Sequence, residues 1–178
     1  MSAKFNRLET ITHDCFEVWD LSGVCYRGVA SETMKFVGQV YDEDVTRSRS
    51  EDSDLDITAP HTKVLFEEIE KVLAQRNLQR IPDQYWGQIH RLYEASQMHD
   101  HNPYDVAWVY YARVPKNSGV LVFTQYLGWT KIHEHTFQPK VGQLVMFPGW
   151  MVHRVTKNFN EWPRVSISGN ANYIKEGE

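Results

Sequence analysis

The chain has 178 residues, 42% of them hydrophobic and 24% charged, with a net charge of -4. That is the composition of a folded globular protein with a sizeable core, and the acidic balance argues against generic nucleic-acid binding. No apolar run approaches the roughly 20 residues that span a bilayer, and the first residues lack an apolar leader, so one cytoplasmic domain over 1–178 is expected, with neither a nucleic-acid nor a membrane partner.

Short β-like runs come first, at 16–21 (FEVWDL), 24–29 (VCYRGV) and 34–41 (MKFVGQVY). Cys15 and Cys25 read as reduced thiols. Residues 42–56 (DEDVTRSRSEDSDLD) are polar with no apolar face, which reads as a surface loop; a lid or substrate-contacting loop is the functional alternative. Residues 59–76 read as a helix: Pro60 stands near its start, where a missing N–H costs little. Val64, Leu65, Ile69, Val72 and Leu73 fall on one face, and Glu67 and Lys71 form an i,i+4 pair on the other. These elements make 1–84 an N-terminal part of strands, loop and support helix.

From 85 onward the pattern is β, in runs at 85–95, 106–114, 119–126, 130–139, 142–148, 153–157 and 164–173. Turn signals such as PKNSG, PKVG and NFNEWP separate them. The expected fold is therefore mainly β, a jelly-roll core over 85–173 with helical support.

The chemistry begins at HDHNPYDVAWVYY, residues 99–111. Alternate side chains of a strand share a face, so His99 and His101 can ligate one metal. His153 re-enters a strand after the Pro148-Gly149 turn and can complete a facial triad. Arg164 opens the next strand, where a guanidinium suits the bidentate grip of a carboxylate inside a barrel.

These motifs, in this order, resemble the Fe(II)- and 2-oxoglutarate-dependent oxygenases, most closely the prolyl-hydroxylase-like branch and related bacterial and phage oxygenases. HDHNP, VYY, SGVLVF (118–123), LVMFPGWMVH and Arg164 occupy the places of that family's motifs over about half the chain. The resemblance implies a double-stranded β-helix, with His99, His101 and His153 as ligands of Fe(II). It also implies Arg164, Tyr111 and Ser166 as contacts of 2-oxoglutarate. The implied reaction hydroxylates an unactivated C–H of a peptidyl residue, prolyl included, or of a small-molecule substrate with O2, releasing succinate and CO2. The family's middle ligand is usually a carboxylate; here it is His101, while strand alternation turns Asp100 away.

A second HxH, His133 and His135 in KIHEHTF, is the rival pair of a cupin-type metalloenzyme that needs no 2-oxoglutarate. The glutamate expected after a cupin's second histidine is missing, since TFQPK follows. An inactive jelly-roll binding module is the other alternative. His13, His61 and His90 have no partner pattern, most of the six tryptophans read as core, and Trp129 and Trp150 are the candidate substrate contacts.

Overall fold

The computed structural model describes residues 4–6, 16–37, 48–49, 55–126 and 132–175. His13, Cys15, Trp129 and most of the polar segment 42–56 lie outside the described residues. The elements are β1 (Lys4–Asn6), β2 (Glu17–Asp20), α1 (Tyr26–Val37), β3 (Ser48–Arg49), α2 (Pro60–Ala74), β4 (Leu78–His90), β5 (Ser96–His99), β6 (Val106–Arg113), β7 (Leu121–Tyr126), β8 (Ile132–Phe137), β9 (Gln143–Pro148), β10 (His153–Val155) and β11 (Arg164–Tyr173). Two sheets form the barrel, one in the order β1-β2-β9-β6-β11-β4-β3 and the other β5-β10-β7-β8. All the strand pairings are antiparallel. This is the expected mainly β, double-stranded β-helix with helical support.

One expectation fails. The β-like runs at 24–29 and 34–41 give way to a single helix, α1, as far as they are described. Val29, Ala30, Thr33 and Val37 are its buried residues, a stripe at helical spacing. In the sequence the polar stretch Ser31-Glu32-Thr33 separates two short apolar runs, so the segment reads more easily as two short strands than as one helix. The Thr33 hydroxyl donates to the Val29 carbonyl at 2.9 Å, inside the helix itself.

α2 forms where the 3.6-residue period predicts it, with Pro60 in its first turn. Its buried face is Thr62, Leu65, Phe66, Ile69, Val72 and Leu73, while Val64 is exposed. Each large apolar side chain on that face is stabilising by roughly 1.5–3 kcal/mol relative to exposure. Ala59 provides no side-chain cap. The Glu32 carboxylate of α1 substitutes, accepting from the backbone N–H groups of His61 (3.1 Å) and Thr62 (2.8 Å). Lys71 pairs with Glu68 at 2.7 Å instead of with Glu67, the i,i+3 alternative on the same helix surface.

The strand period of two divides the core. Along β6, Ala107, Val109 and Tyr111 face the barrel interior with Val145, Phe147 and Phe123. Trp108, Tyr110 and Ala112 face outward, beneath the helices, with Leu65, Ile69, Leu144 and Met146. The outer layer is tight at Gly87 of β4, where an added Cβ would stand 2.6 Å from Thr33 and 2.9 Å from Val37 of α1. Among the described residues no helix is long and apolar enough to cross a membrane.

Candidate metal centre

Two separated stretches of chain meet at one end of the smaller sheet. His99 is the last residue of β5 and His153 the first of β10, and the two are direct partners in the antiparallel ladder. His101 lies beyond the end of β5, so a continuous strand does not set its direction. It is held by its backbone instead. Its N–H donates to the Gly149 carbonyl at 2.7 Å, and its carbonyl accepts from the Tyr104 N–H at 3.0 Å. Gly149 in turn donates to the Asp105 carbonyl at 2.8 Å. The approach is so close that a Cβ on Gly149 would collide with the Tyr104 carbonyl oxygen, which explains the glycine in FPGW.

The three imidazoles converge. Their ring centroids are 4.4 Å apart for His99 and His153, 5.2 Å for His99 and His101, and 5.1 Å for His101 and His153. One nitrogen of each can be chosen so that all three lie within 4.8 Å of one another. The Nδ1 of His99 lies 2.8 Å from the Gln97 carbonyl, and that of His153 lies 2.8 Å from the Met151 carbonyl. A carbonyl can only accept, which assigns the proton to Nδ1 and leaves the Nε2 lone pair of each ring as the donor to a metal. Burial, and then the neighbouring His99, push the pKa of His153 down to about 3, so its ring is neutral at pH 7. A set of neutral nitrogen donors suits iron, as well as zinc, nickel and copper.

The aspartate between the ligands is elsewhere. Asp100 is exposed and accepts from the Asn102 N–H at 3.1 Å, capping the turn. The rival pair gathers no third ligand: among the described residues the group of three that could hold a metal ion is His99, His101 and His153, while His133 is exposed on β8. His135 is half-buried and follows the row His99–His153–Phe123–His135 across the sheet, in ring contact with Phe16.

The same pocket is lined by the three histidines and by Tyr111, Arg164 and Ser166. Arg164 is 1% exposed, and its Nη1 donates to the Ser118 carbonyl at 3.2 Å, while its Nε has no partner. Among the described residues no carboxylate pairs with it. Burial lowers its pKa to about 10, which leaves it charged at neutral pH. Burial raises the Tyr111 phenol to about 12, so its hydroxyl keeps its proton. Tyr111 and Ser166 are partners across the β6–β11 ladder. A buried cation with an unused N–H and a neutral phenol in one cavity form a receptor for an anion. This donor set fits 2-oxoglutarate, as the histidines fit iron.

Sequence reasoning missed further lining residues, among them Trp86, Gln88, Ser96 and Ser168. Trp86 and Gln88 alternate in YWGQIH, but the period does not reveal which face of a doubly buried strand is the interior. His90, left without a role, is fully buried with its Nε2 2.8 Å from the Ser96 hydroxyl. Trp150 is 58% exposed and lines a neighbouring groove with Asn102, Tyr104 and Phe147.

A family model described as "Putative 2OG-Fe(II) oxygenase" matches residues 84–170. No curated protein sequence matches the chain. Among solved structures it is similar to a Pseudomonas putida prolyl-4-hydroxylase, at 18% identity and TM-score 0.59 over 92% of this chain and 95% of that one. It is also similar to a Trichoplax adhaerens prolyl hydroxylase solved with a hypoxia inducible factor peptide fragment, at 14% identity and TM-score 0.65 over 91% and 85% of the two chains. The epimerase SnoN of nogalamycin biosynthesis, solved with Fe3+, alpha ketoglutarate and nogalamycin RO, gives 11% identity and TM-score 0.71 over 90% and 79%. At such identities the likeness carries the fold; the sequence model carries the family. Residues 84–170, just under half of the chain, hold most of the barrel strands and every candidate ligand, and over that segment the chain matches the 2OG-Fe(II) oxygenases, enzymes dependent on iron and 2-oxoglutarate.

Proposed function

We propose that the enzyme hydroxylates an unactivated C–H bond of a peptidyl or small-molecule substrate, consuming O2 and 2-oxoglutarate and releasing succinate and CO2. In this reading His99, His101 and His153 hold Fe(II), while Arg164, Tyr111 and Ser166 hold 2-oxoglutarate. The observation that carries it is Arg164, buried without a carboxylate partner in the cavity that the three histidines line. A guanidinium so placed is costly until an anion pairs with it, and its fork matches a carboxylate. The likeness to two prolyl hydroxylases supports a peptidyl substrate, and the likeness to an epimerase of nogalamycin biosynthesis supports a small molecule.

When bound, iron and 2-oxoglutarate together supply the oxygen-activating oxidation that no side chain can perform. The chain contributes the rest. Neutral imidazoles present lone pairs without having to lose a proton first. Arg164 would fix the cosubstrate by one end, and the protonated Tyr111 hydroxyl would be free to donate to the same carboxylate. Val109, Leu121 and Phe147 line the cavity with apolar surface and keep bulk water out. His99, His101 and His153 would hold the metal, and Arg164, Tyr111 and Ser166 would hold the cosubstrate beside it.

The test is an anaerobic titration of the purified protein with Fe(II) and then 2-oxoglutarate. A weak visible charge-transfer band that needs both components is expected, followed by succinate formation on admitting O2. Iron binding with no response to 2-oxoglutarate would hand the site to the cupin-type reading.

A further inference from the structure

We infer that Trp86 is a positioning residue for His101, a flat wall that fixes the imidazole plane of the one candidate ligand that stands outside a strand. The inference rests on the proposal that His101 ligates the metal. His99 and His153 sit in a ladder, and each is steered by an Nδ1 hydrogen bond to the carbonyl two residues earlier. His101 has its backbone pinned by Gly149 and Tyr104, and its ring is set among aromatic side chains. The ring lies against the Trp86 indole, with centroids 5.7 Å apart and planes within 14°. It is also nearly parallel to the His153 ring, at 5.1 Å and 8°, and meets Phe147 edge-on at 6.3 Å.

The indole is well suited to act as a fixed reference. Trp86 is 4% exposed on β4, in register with Ser168 of β11. Its neighbour Gly87 turns to the other face, where Thr33 and Val37 of α1 leave no room for even a Cβ. The strand at 86–87 is thus held between a helix outside and an aromatic stack inside. Offset stacking favours one ring plane, so the indole restricts rotation of the His101 imidazole about its side-chain axis. A ligand that is already oriented loses less freedom when the metal binds, and removing such an orienting partner typically costs about 10–100-fold in metal affinity.

The experiment is a double-mutant cycle on the full chain. Anaerobic Fe(II) affinity is measured by chelator competition for wild type, Trp86→Phe, Trp86→Met, His101→Asp, Trp86→Met/His101→Asp and His101→Ala, with thermal unfolding to establish that each variant folds. Methionine fills much of the space without a planar face and is expected to weaken Fe(II) binding about tenfold. Phenylalanine keeps a face and should stay within about threefold of wild type. In the His101→Asp background, with no imidazole to orient, Trp86→Met should change affinity by less than about twofold. Unchanged affinity in Trp86→Met overturns the inference. So does an equal loss with and without the imidazole, which would make Trp86 ordinary barrel packing. If Trp86→Met does not fold, Trp86→Phe is measured in both backgrounds, and any loss must again vanish with aspartate at 101. Failure of the ligand assignment looks different: His101→Ala would then keep its iron whatever residue occupies 86.

Discussion

His99 and His153 stand directly opposite one another across the β5–β10 pair, their ring centroids 4.4 Å apart, although 53 residues of sequence lie between them. Neither stretch builds the centre alone, and the third imidazole reaches it only through a backbone clasp to the Gly149 turn. Each part of this arrangement can be removed separately.

Loss of any one imidazole should release the metal. His99→Ala, His101→Ala and His153→Ala are each expected to bind Fe(II) far more weakly than wild type, whereas His133→Ala and His135→Ala keep it. Metal content of the five purified variants decides. Loss confined to the last two would move the centre to β8.

Arg164 should govern 2-oxoglutarate and leave iron alone. Truncation would strand a buried carboxylate, costing about 3–5 kcal/mol, or roughly two to four decades of affinity. Arg164→Lys should be intermediate, since it keeps the charge and loses the fork. Titration of 2-oxoglutarate into the iron-loaded variants reads this. Wild-type affinity in Arg164→Ala would refute the assignment.

A methyl group at Gly149 should disturb the centre without touching a ligand. In Gly149→Ala the new Cβ meets the Tyr104 carbonyl, so the loop at 101–104 or the turn itself must move. Overpacking of this kind costs about 1–3 kcal/mol. A lowered melting temperature together with weakened Fe(II) binding is expected, and normal iron affinity in this variant would show that the clasp does not hold His101 in place.

Acid should weaken the metal-free fold through His153. Burial, and then His99, hold its pKa at about 3 in the fold, against an ordinary 6.5. Below about pH 6.5 the unfolded chain takes up the proton first, so the stability present above that pH is lost progressively toward about pH 3. Urea midpoints at pH 7.5 and 5 should therefore differ more for wild type than for His153→Leu; identical pH dependence in the two would exclude His153 as the source.

Much of this was legible in the residues. α2 showed itself because its apolar period runs uninterrupted behind a proline, β6 and β9 because they are bounded apolar runs, and β11 because Val165 and Ile167 alternate with serines after a turn signal. β4 was legible only from 85, although it begins at Leu78. Pro82 and Asp83, the latter at φ 60, look like a break, yet the strand passes through them opposite the register shift at Gly169/Ala171. α1 was hidden because the polar Ser31-Glu32-Thr33 splits its apolar residues into two short runs. In the candidate centre, strand alternation brought attention to His99 and His101 for a reason only half realised, since β5 ends at His99 and the convergence of His101 comes from the turn. The part played by Trp86 depends on which face of β4 is interior, and only tertiary structure fixes that.

The four residues of β5 and three of β10 carry the centre on a short ladder, with two paired positions and a register shift between them. β11, by contrast, is paired along most of its ten residues to a neighbour on each side. Protection against hydrogen exchange follows such differences: amides in short, irregular ladders open locally, at a free energy well below that of global unfolding. A ligand held between β5 and β10 closes that local opening in proportion to its occupancy. The backbone amides around His99 and His153 thus act as a built-in gauge of the centre, their exchange slowing as it fills while β6 and β11 stay silent.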